Sequence, residues 1–193
     1  MANCLDKLTS DMLFDCADRS KKGLDAGKVV FINREDVDWV NTTIVDGKIT
    51  NLQLLSGKSG FDGEFYKQLA SGTATYVPST DDVDGYTQSF LCRLQSSSDA
   101  SSTQAAELAG GKFLVVMETT YKGTSNLDAF KVLGYEVGLT LTELEWNTTE
   151  NSGALVYTCA TEEGAFESRP YNILLMTDYA TTKASFDTKF IEA

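Results

Sequence analysis

The chain has 193 residues, a formal net charge of -12 and no histidine. The absence of histidine excludes Ser-His-Asp and Cys-His catalytic units, histidine zinc sites and an imidazole general base. The excess of 28 acidic over 16 basic residues argues against a protein that binds nucleic acid or anionic lipid, because binding to either needs a concentrated positive field. The 42% apolar content is ordinary for a globular protein, and no apolar run approaches the ~20 residues that span a bilayer.

The N-terminal segment is predicted to form a helix over residues 4–18, because apolar side chains recur there at spacings of three and four. These side chains are Leu5, Leu8, Met12 and Cys16. The segment lacks the basic and apolar regions of a signal peptide, so we expect a reducing compartment and free cysteines. Cys92 and Cys159 lie in apolar runs and are predicted to be small buried hydrophobes.

The next segments are predicted strands. Residues 28–33 form a short, nearly continuous apolar run, which is typical of a strand that is buried on both faces. Residues 41–55 are predicted to form a hairpin, because Asp46 and Gly47 separate two β-prone runs and favour a two-residue turn.

Residues 56–85 show weaker periodicity, with five glycines and an acidic end that contains Asp81, Asp82 and Asp84. Four aromatic side chains persist there, which a purely solvated linker would not usually keep. They are Phe61, Phe65, Tyr66 and Tyr76. We interpret the segment as a long loop or hairpin extension that docks on another surface.

The remaining sequence is rich in strands. Residues 86–94 predict a strand, residues 95–103 a Ser-rich loop, and a short helix follows that ends at Gly110 and Gly111. Five further strand-like runs lie between residues 112 and 177, and Tyr179, Phe186 and Phe190 share one face of a C-terminal helix. The sequence therefore predicts one mainly β domain over residues 1–193. The expected fold is an antiparallel β-sandwich or barrel of about eight to ten strands, with an N-terminal helix, a C-terminal helix and a long extended loop.

Few residues are candidates for chemistry. Glu143 and Glu145 lie two apart on a predicted strand and share a face, as a glycosidase pair could, but solvated surface charges have the same pattern. The acidic stretch at residues 81–84 lacks the glycine and glutamate spacing of an EF-hand, and the glycines form no phosphate loop. We therefore expect no enzymatic activity, no cofactor and no metal site.

Four segments together carry a family resemblance. They are MANCLDKLTSDMLFDC at the N-terminus, SGKSGFDGEFYKQLASGTATYVPSTDDVDG at residues 56–85, GYEVGLTLTELEWN from residue 134 and ENSGALVYTCATEEGAFESRPYN from residue 150. In order and length they resemble bacteriophage tail tube proteins and related virion β-sandwich proteins, particularly those of phages and prophages of gut Bacteroides-type bacteria. The similarity covers most of the chain.

The resemblance implies a structural role in the virion. Such proteins assemble in the host cytoplasm into rings, typically hexameric, whose inner sheets form one barrel, and the rings stack into a tail tube that conducts DNA. The expected partners are further copies of the chain and other tail and neck proteins, with no membrane contact. DNA would pass through without being bound.

The resemblance also implies roles for particular residues. Residues 56–85 would contact the next ring, with Phe61, Phe65, Tyr66 and Tyr76 as stacking contacts. An acidic lumen would repel DNA, since bound phosphates would retard it. Its candidate residues are Glu118, Glu136, Glu143 and Glu145. The alternatives are another phage structural role, such as a head–tail connector or capsid decoration protein, and a β-barrel that binds a small molecule or glycan.

Overall fold

A computed structural model describes residues 11–13, 18–66, 69–78 and 84–191 of the chain. These residues form eleven β-strands and two α-helices. The strands are β1 (Leu24–Asn33), β2 (Thr43–Val45), β3 (Lys48–Asn51), β4 (Phe61–Glu64), β5 (Ala70–Val77), β6 (Gly85–Leu94), β7 (Phe113–Thr119), β8 (Phe130–Leu133), β9 (Thr140–Trp146), β10 (Leu155–Ala160) and β11 (Asn172–Leu174). The helices are α1 (Asp99–Leu108) and α2 (Tyr179–Asp187). Most of the helix predicted over residues 4–18 lies outside the described residues.

The strands are arranged in two sheets. A seven-stranded sheet has the order β2-β3-β11-β8-β7-β1-β4, and a four-stranded sheet has the order β5-β6-β10-β9. All neighbouring strands pair antiparallel except β3 and β11, which are parallel. Neither described sheet closes on itself. The prediction of a mainly β sandwich is therefore confirmed, and the barrel alternative is wrong.

An aromatic cluster joins the two sheets. The ring of Phe31 on β1 lies 5.6 Å from that of Phe90, 6.0 Å from that of Phe113 and 6.3 Å from that of Tyr157, measured between centroids. All four side chains are buried. Because Phe90 and Tyr157 come from the four-stranded sheet and the other two from the seven-stranded sheet, this cluster forms the centre of the sandwich.

The opposite face of the seven-stranded sheet is also covered. Phe186 of α2 is fully buried and lies 5.3 Å from Phe130 of β8, and Tyr179 stacks on Phe130 at 5.8 Å. The side chain of Asp178 caps α2 by accepting a hydrogen bond from the Thr181 amide at 2.7 Å. The predicted apolar face is confirmed for Tyr179 and Phe186. Phe190 belongs to the same cluster, but it lies beyond the end of α2, with a φ of 58°. The seven-stranded sheet is the middle of three layers.

Local turn signals act as the sequence predicts. Asp46 and Gly47 have φ angles of 50° and 77° and join β2 to β3, as a two-residue hairpin turn requires. β8 ends at Leu133, because Gly134 has a φ of 74° and a Cβ there would lie 2.6 Å from the carbonyl oxygen of Phe113. The chain crosses between the sheets at this turn.

Residues 56–85 do not form a long loop in their described part. They provide β4, which pairs with β1 at the edge of the seven-stranded sheet, and β5, which pairs with β6 from Ala70 opposite Cys92 to Val77 opposite Gly85. The loop interpretation is therefore wrong. The hairpin alternative is closer, because β5 and β6 form an antiparallel hairpin. The acidic residues Asp81 and Asp82 lie outside the described residues.

Candidate assembly surface

The four-stranded sheet has one buried face and one open face. Along β10, Leu155, Tyr157 and Cys159 are buried against the seven-stranded sheet, while the residues between them point the other way and are half-buried. The strand registers place one set of side chains on the open face. This set is Ser71, Thr73, Thr75, Val77, Thr87, Ser89, Leu91, Arg93, Thr140, Glu143, Glu145, Val156, Thr158 and Ala160.

Hydroxyl groups dominate the open face. The side-chain oxygens of Thr73 and Ser89, for example, lie 2.6 Å apart across β5 and β6. Only three charged side chains belong to the face, namely Arg93, Glu143 and Glu145. The open face is therefore polar with a small negative excess, and it offers little positive charge to a polyanion.

The two predicted lumen residues outside this face have structural roles. Glu118 on β7 is only 2% exposed, and it lies 2.6 Å from the Lys122 ammonium and 3.5 Å from that of Lys183. Tyr179 donates a hydrogen bond to it at 2.7 Å. Burial lowers the pKa of Lys122, but its hydrogen bonds to Asp25, Glu118 and Tyr179 outweigh burial and raise it. Glu118 therefore fixes α2 to the seven-stranded sheet and cannot face a lumen.

Glu136 lies in the turn that crosses between the sheets. Its carboxylate accepts hydrogen bonds from the Ser168 amide at 2.9 Å and the Ser168 hydroxyl at 2.5 Å. In return, the buried carboxylate of Glu167 accepts hydrogen bonds from the amides of Glu136 and Val137 at 3.0 Å. Burial raises the pKa of Glu167, although the two amides act in the opposite direction. This reciprocal pair holds the crossing turn in place.

The four-stranded sheet ends in two long strands. β5 has eight residues and β9 has seven, and both are edge strands. β5 contains no charged residue, no proline and no register shift, and six of its eight residues are exposed. Globular proteins normally protect such an edge, because its unpaired amide and carbonyl groups can bind another strand. These two strands are the longest edge strands of the described sheets.

A groove runs beside the β9 edge. It has a volume of about 580 Å³ and lies between α1 and β9. Leu144 and Trp146 line it from β9 and are 40% and 56% exposed, and Ala106 and Ala109 line it from the helix. None of the side chains that line the groove carries a charge. The groove thus continues the apolar interior of the sandwich to the edge of the sheet.

The predicted stacking aromatics do not lie together. Phe65 is 8% exposed and belongs to the core between the sheets, so it is not a surface contact. Phe61 is exposed on β4, at the edge of the seven-stranded sheet. Tyr76 is 50% exposed near the end of the β5–β6 hairpin and donates a hydrogen bond to Asp84 at 2.5 Å. Tyr66 is exposed between β4 and β5.

The described cysteines are buried, and the described cysteine, aspartate and glutamate side chains form no metal-binding group. Cys92 and Cys159 are buried free thiols, and burial raises the pKa of Cys159 to about 12, which makes it a poor nucleophile. No group of three or more cysteine, aspartate or glutamate side chains in the described ranges is placed to hold a metal ion. Neither α1 nor α2 is long and apolar enough to cross a membrane.

Sequence reasoning found Glu143 and Glu145 on the open face but missed the β5 edge and the groove. A signal for β5 was present, since Ser71, Thr73 and Thr75 alternate with small apolar residues. Comparison of the chain with protein-family models, curated proteins and solved structures gave no match.

Proposed function

We propose that the chain is a non-enzymatic structural protein whose copies join through the four-stranded sheet into rings, and whose rings stack into a bacteriophage tail tube. One observation carries the proposal. The four-stranded sheet has a polar open face and two long open edges, β5 and β9. A soluble monomer would have to protect these edges, whereas a ring subunit uses them.

The strand directions suit closure into a ring. The four strands alternate in direction, so β5 and β9 run opposite ways. When a second copy is related to the first by rotation, its β5 therefore runs antiparallel to β9 of the first. Repeating this head-to-tail contact closes a ring or extends a helix. The pairing would add main-chain hydrogen bonds at each junction.

Charge favours pairing of β9 with β5 over pairing of β9 with a second β9. Two β9 strands would bring Glu143 and Glu145 of one copy close to those of the other, and like charges on adjacent strands are destabilising. β5 has no charged side chain. The head-to-tail arrangement avoids this repulsion.

The size of such a ring fits a conduit. Six copies, the number that the resemblance to tail tube proteins implies, would provide four strands each. At about 4.8 Å per strand the wall would have a backbone diameter of about 37 Å, and strand tilt would widen it. The open face would line the lumen, with the seven-stranded sheet and α2 outside.

The wall chemistry suits passage of DNA. A hydroxyl-rich face with Glu143, Glu145 and Arg93 offers few cations to phosphate groups, so few counterions would be released and DNA would slide. Most of the net charge of -12 lies elsewhere on the chain. We propose that the end of the β5–β6 hairpin, with Tyr76 and Asp84, contacts the next ring. The tube would be part of the virion and would join other tail and neck proteins.

The test compares two double variants of the β5 edge. Thr73→Glu with Thr75→Glu places carboxylates on the edge strand that would pair with β9 of the next copy, which carries Glu143 and Glu145, so rings should be lost. Thr73→Lys with Thr75→Lys places opposite charges there, so rings should persist. Both positions are exposed in the protomer. Negative-stain microscopy and sedimentation velocity of concentrated protein measure assembly.

Three outcomes of these measurements would distinguish a tail tube from the alternatives. Rings or tubes of fixed diameter in the unaltered protein and the lysine variant, but not in the glutamate variant, would support the proposal. A monomer at every concentration, even with a tail initiator complex, would refute it. Single rings that never stack would favour the alternative of a head–tail connector.

A further inference from the structure

The groove between α1 and β9 lies at one end of the protomer. β9 follows Leu139, whose amide and carbonyl bond to Phe113 at the start of β7, at 2.9 and 2.8 Å. Residues 109–112 connect α1 to the same end of β7. In a single copy Leu144 and Trp146 remain 40% and 56% exposed in this groove. The groove is therefore an uncharged apolar surface at the Phe113 end of the fold.

The N-terminal part of the chain joins the fold at the opposite end. The Tyr121 hydroxyl, just beyond the last residue of β7, donates a hydrogen bond to Asp18 at 2.8 Å. β5 lies toward this end as well, because a Cβ on Gly72 would lie 2.9 Å from the Met117 side chain. β7 has seven residues, so about 20 Å separate its two ends. The chain thus reaches Asp18 on the β5 side, remote from its own groove.

Head-to-tail pairing of β9 with β5 brings these two ends together. In the proposed ring, β5 of a second copy lies beside β9 of the first, so Asp18 of the second copy and the groove of the first meet at the same junction. Leu144 and Leu155 in the groove lie on the side of the sheet opposite the open face. The groove and β7 are therefore both on the outer side of the ring wall.

The residues before Asp18 match the groove in length. The sequence predicts an amphipathic helix over residues 4–18. Its apolar stripe is formed by Leu5, Leu8, Met12 and Cys16. From residue 5 to residue 16 a helix rises about 16 Å. The groove is lined along α1 from Ser98 to Ala109, which is the same length of helix.

This stripe is not covered by its own copy where the structure describes it. Met12 and Leu13 are each 86% exposed, and residues 11–13 have no helical structure in the single copy. Isolated helices of this length are marginal in water, and packing of an apolar face stabilises them. The α1 side of the groove is formed by Ala105, Ala106 and Ala109. Such small side chains allow a second helix to pack closely against α1.

We infer that residues 4–17 of each copy fold as a helix in the groove of the adjacent copy, with the apolar stripe against α1 and β9. This inference rests on the proposed ring and adds the segment that holds each junction. It also supplies contact area. One pair of edge strands covers only a narrow strip, whereas specific protein interfaces bury about 1,000 Å² or more.

Cross-linking between two variants tests this exchange directly. One variant carries Met12→Cys and the other Ala106→Cys, both in a Cys4→Ser, Cys16→Ala background that retains the two buried cysteines. After the two are mixed and assembled, a short bismaleimide should give a covalent heterodimer, because each bond joins two copies. In the matched control Ser10→Cys, on the opposite side of the predicted helix, replaces Met12→Cys. We expect no heterodimer from the control mixture.

A second pair of variants checks the groove without cross-linking. Leu8→Asp places a carboxylate on the apolar stripe, where the uncharged groove offers it no partner. The concentration at which rings form should rise by about tenfold or more, as sedimentation velocity would measure. Ser10→Asp makes the same change of charge on the other side of the predicted helix and should assemble like the unaltered protein.

The outcomes separate this inference from the ring proposal. If a chain that carries both Met12→Cys and Ala106→Cys cross-links only within itself, the segment fills its own groove and the inference is wrong. If rings form but the mixed variants give no heterodimer, or Ser10→Cys gives as much, the inference is wrong and the ring proposal survives. The same holds if Leu8→Asp and Ser10→Asp assemble alike. If the unaltered chain stays monomeric, both proposals fail.

Discussion

The two sheets of this protein differ in the length of their edge strands and in the burial of their faces. The seven-stranded sheet ends in β2 and β4, which have three and four residues, and it is buried on both faces. The four-stranded sheet ends in β5 and β9, which have eight and seven residues, and one of its faces is open. Short edges are a common protection against unwanted pairing.

The difference indicates a division of labour. The seven-stranded sheet takes part in both apolar clusters, one shared with the four-stranded sheet and one shared with α2, so it forms the core of the protomer. The four-stranded sheet exposes the groups that a second copy needs. If this interpretation is right, changes in the shared core should act on folding, and changes on the open face should act on function alone.

Phe31→Ala should produce the largest loss. The ring contacts Phe90, Phe113 and Tyr157 and so holds the two sheets together. Its removal leaves a cavity that packed neighbours fill poorly, and we expect a loss of about 3–5 kcal/mol in the free energy of unfolding. Urea denaturation measures it. Thr75→Ala on the open face is the control, expected to change stability by less than about 0.5 kcal/mol. If Phe31→Ala and Thr75→Ala lost similar amounts of stability, the proposed separation between a folding core and an open face used for function would be wrong.

Glu167 lies at the turn where the chain crosses between the sheets. Its burial should have a smaller, pH-dependent effect on the free energy of unfolding. In the unfolded chain this carboxyl titrates near its ordinary pKa of 4.5, whereas burial raises its pKa in the folded protein. The folded protein therefore holds the proton more tightly, and the free energy of unfolding falls as the pH rises from 4.5 through the folded pKa. The charged groups that act on this carboxylate are Glu136, which raises its pKa, and Arg34, which lowers it.

Glu167→Gln removes this titration. Relative to the variant, the unaltered protein should lose stability across that pH window, as urea denaturation at a series of pH values would show. Glu163→Gln changes an exposed glutamate of the same loop and serves as the control. If the free energy of unfolding changes with pH in the same way for the unaltered protein and for Glu167→Gln, burial of the Glu167 charge does not destabilise the folded protein.

The sequence predicted most of the seven-stranded sheet, though not β4, because the signals of the other strands are local. Apolar runs in β1 and β7, the Asp46-Gly47 turn and the apolar face of α2 each determine their own structure. β5 was not recognised because its interior positions are alanine and glycine, which have little strand preference. The conformation of β5 depends on pairing with β6, a strand that the sequence did predict.

The candidate site was only partly predictable. Spacing placed Glu143 and Glu145 on one face of a strand, and the register confirms that this face is open. The same reasoning could not separate Glu118 from them, because β7 is buried by both α2 and the second sheet. Phe65 likewise lies in a weakly patterned segment, yet it is buried by distant strands. Burial of this kind depends on tertiary contacts that a linear pattern does not contain.

Reversing the charges of the open face should leave folding almost unchanged and alter function. Glu143→Lys with Glu145→Lys changes two exposed side chains of β9, so the free energy of unfolding should shift by less than about 0.5 kcal/mol. In assembled tubes the same change gives the lumen a ring of cations, and phosphates bound there would release counterions. The variant tubes should therefore retain a short DNA duplex in co-sedimentation at low salt and release it at about 200 mM salt, while unaltered tubes retain none. Glu150→Lys with Glu163→Lys alters the net charge equally outside the open face. Retention of DNA by this control, or by unaltered tubes, would show that the open face is not the wall, because net charge or another surface would then explain the binding.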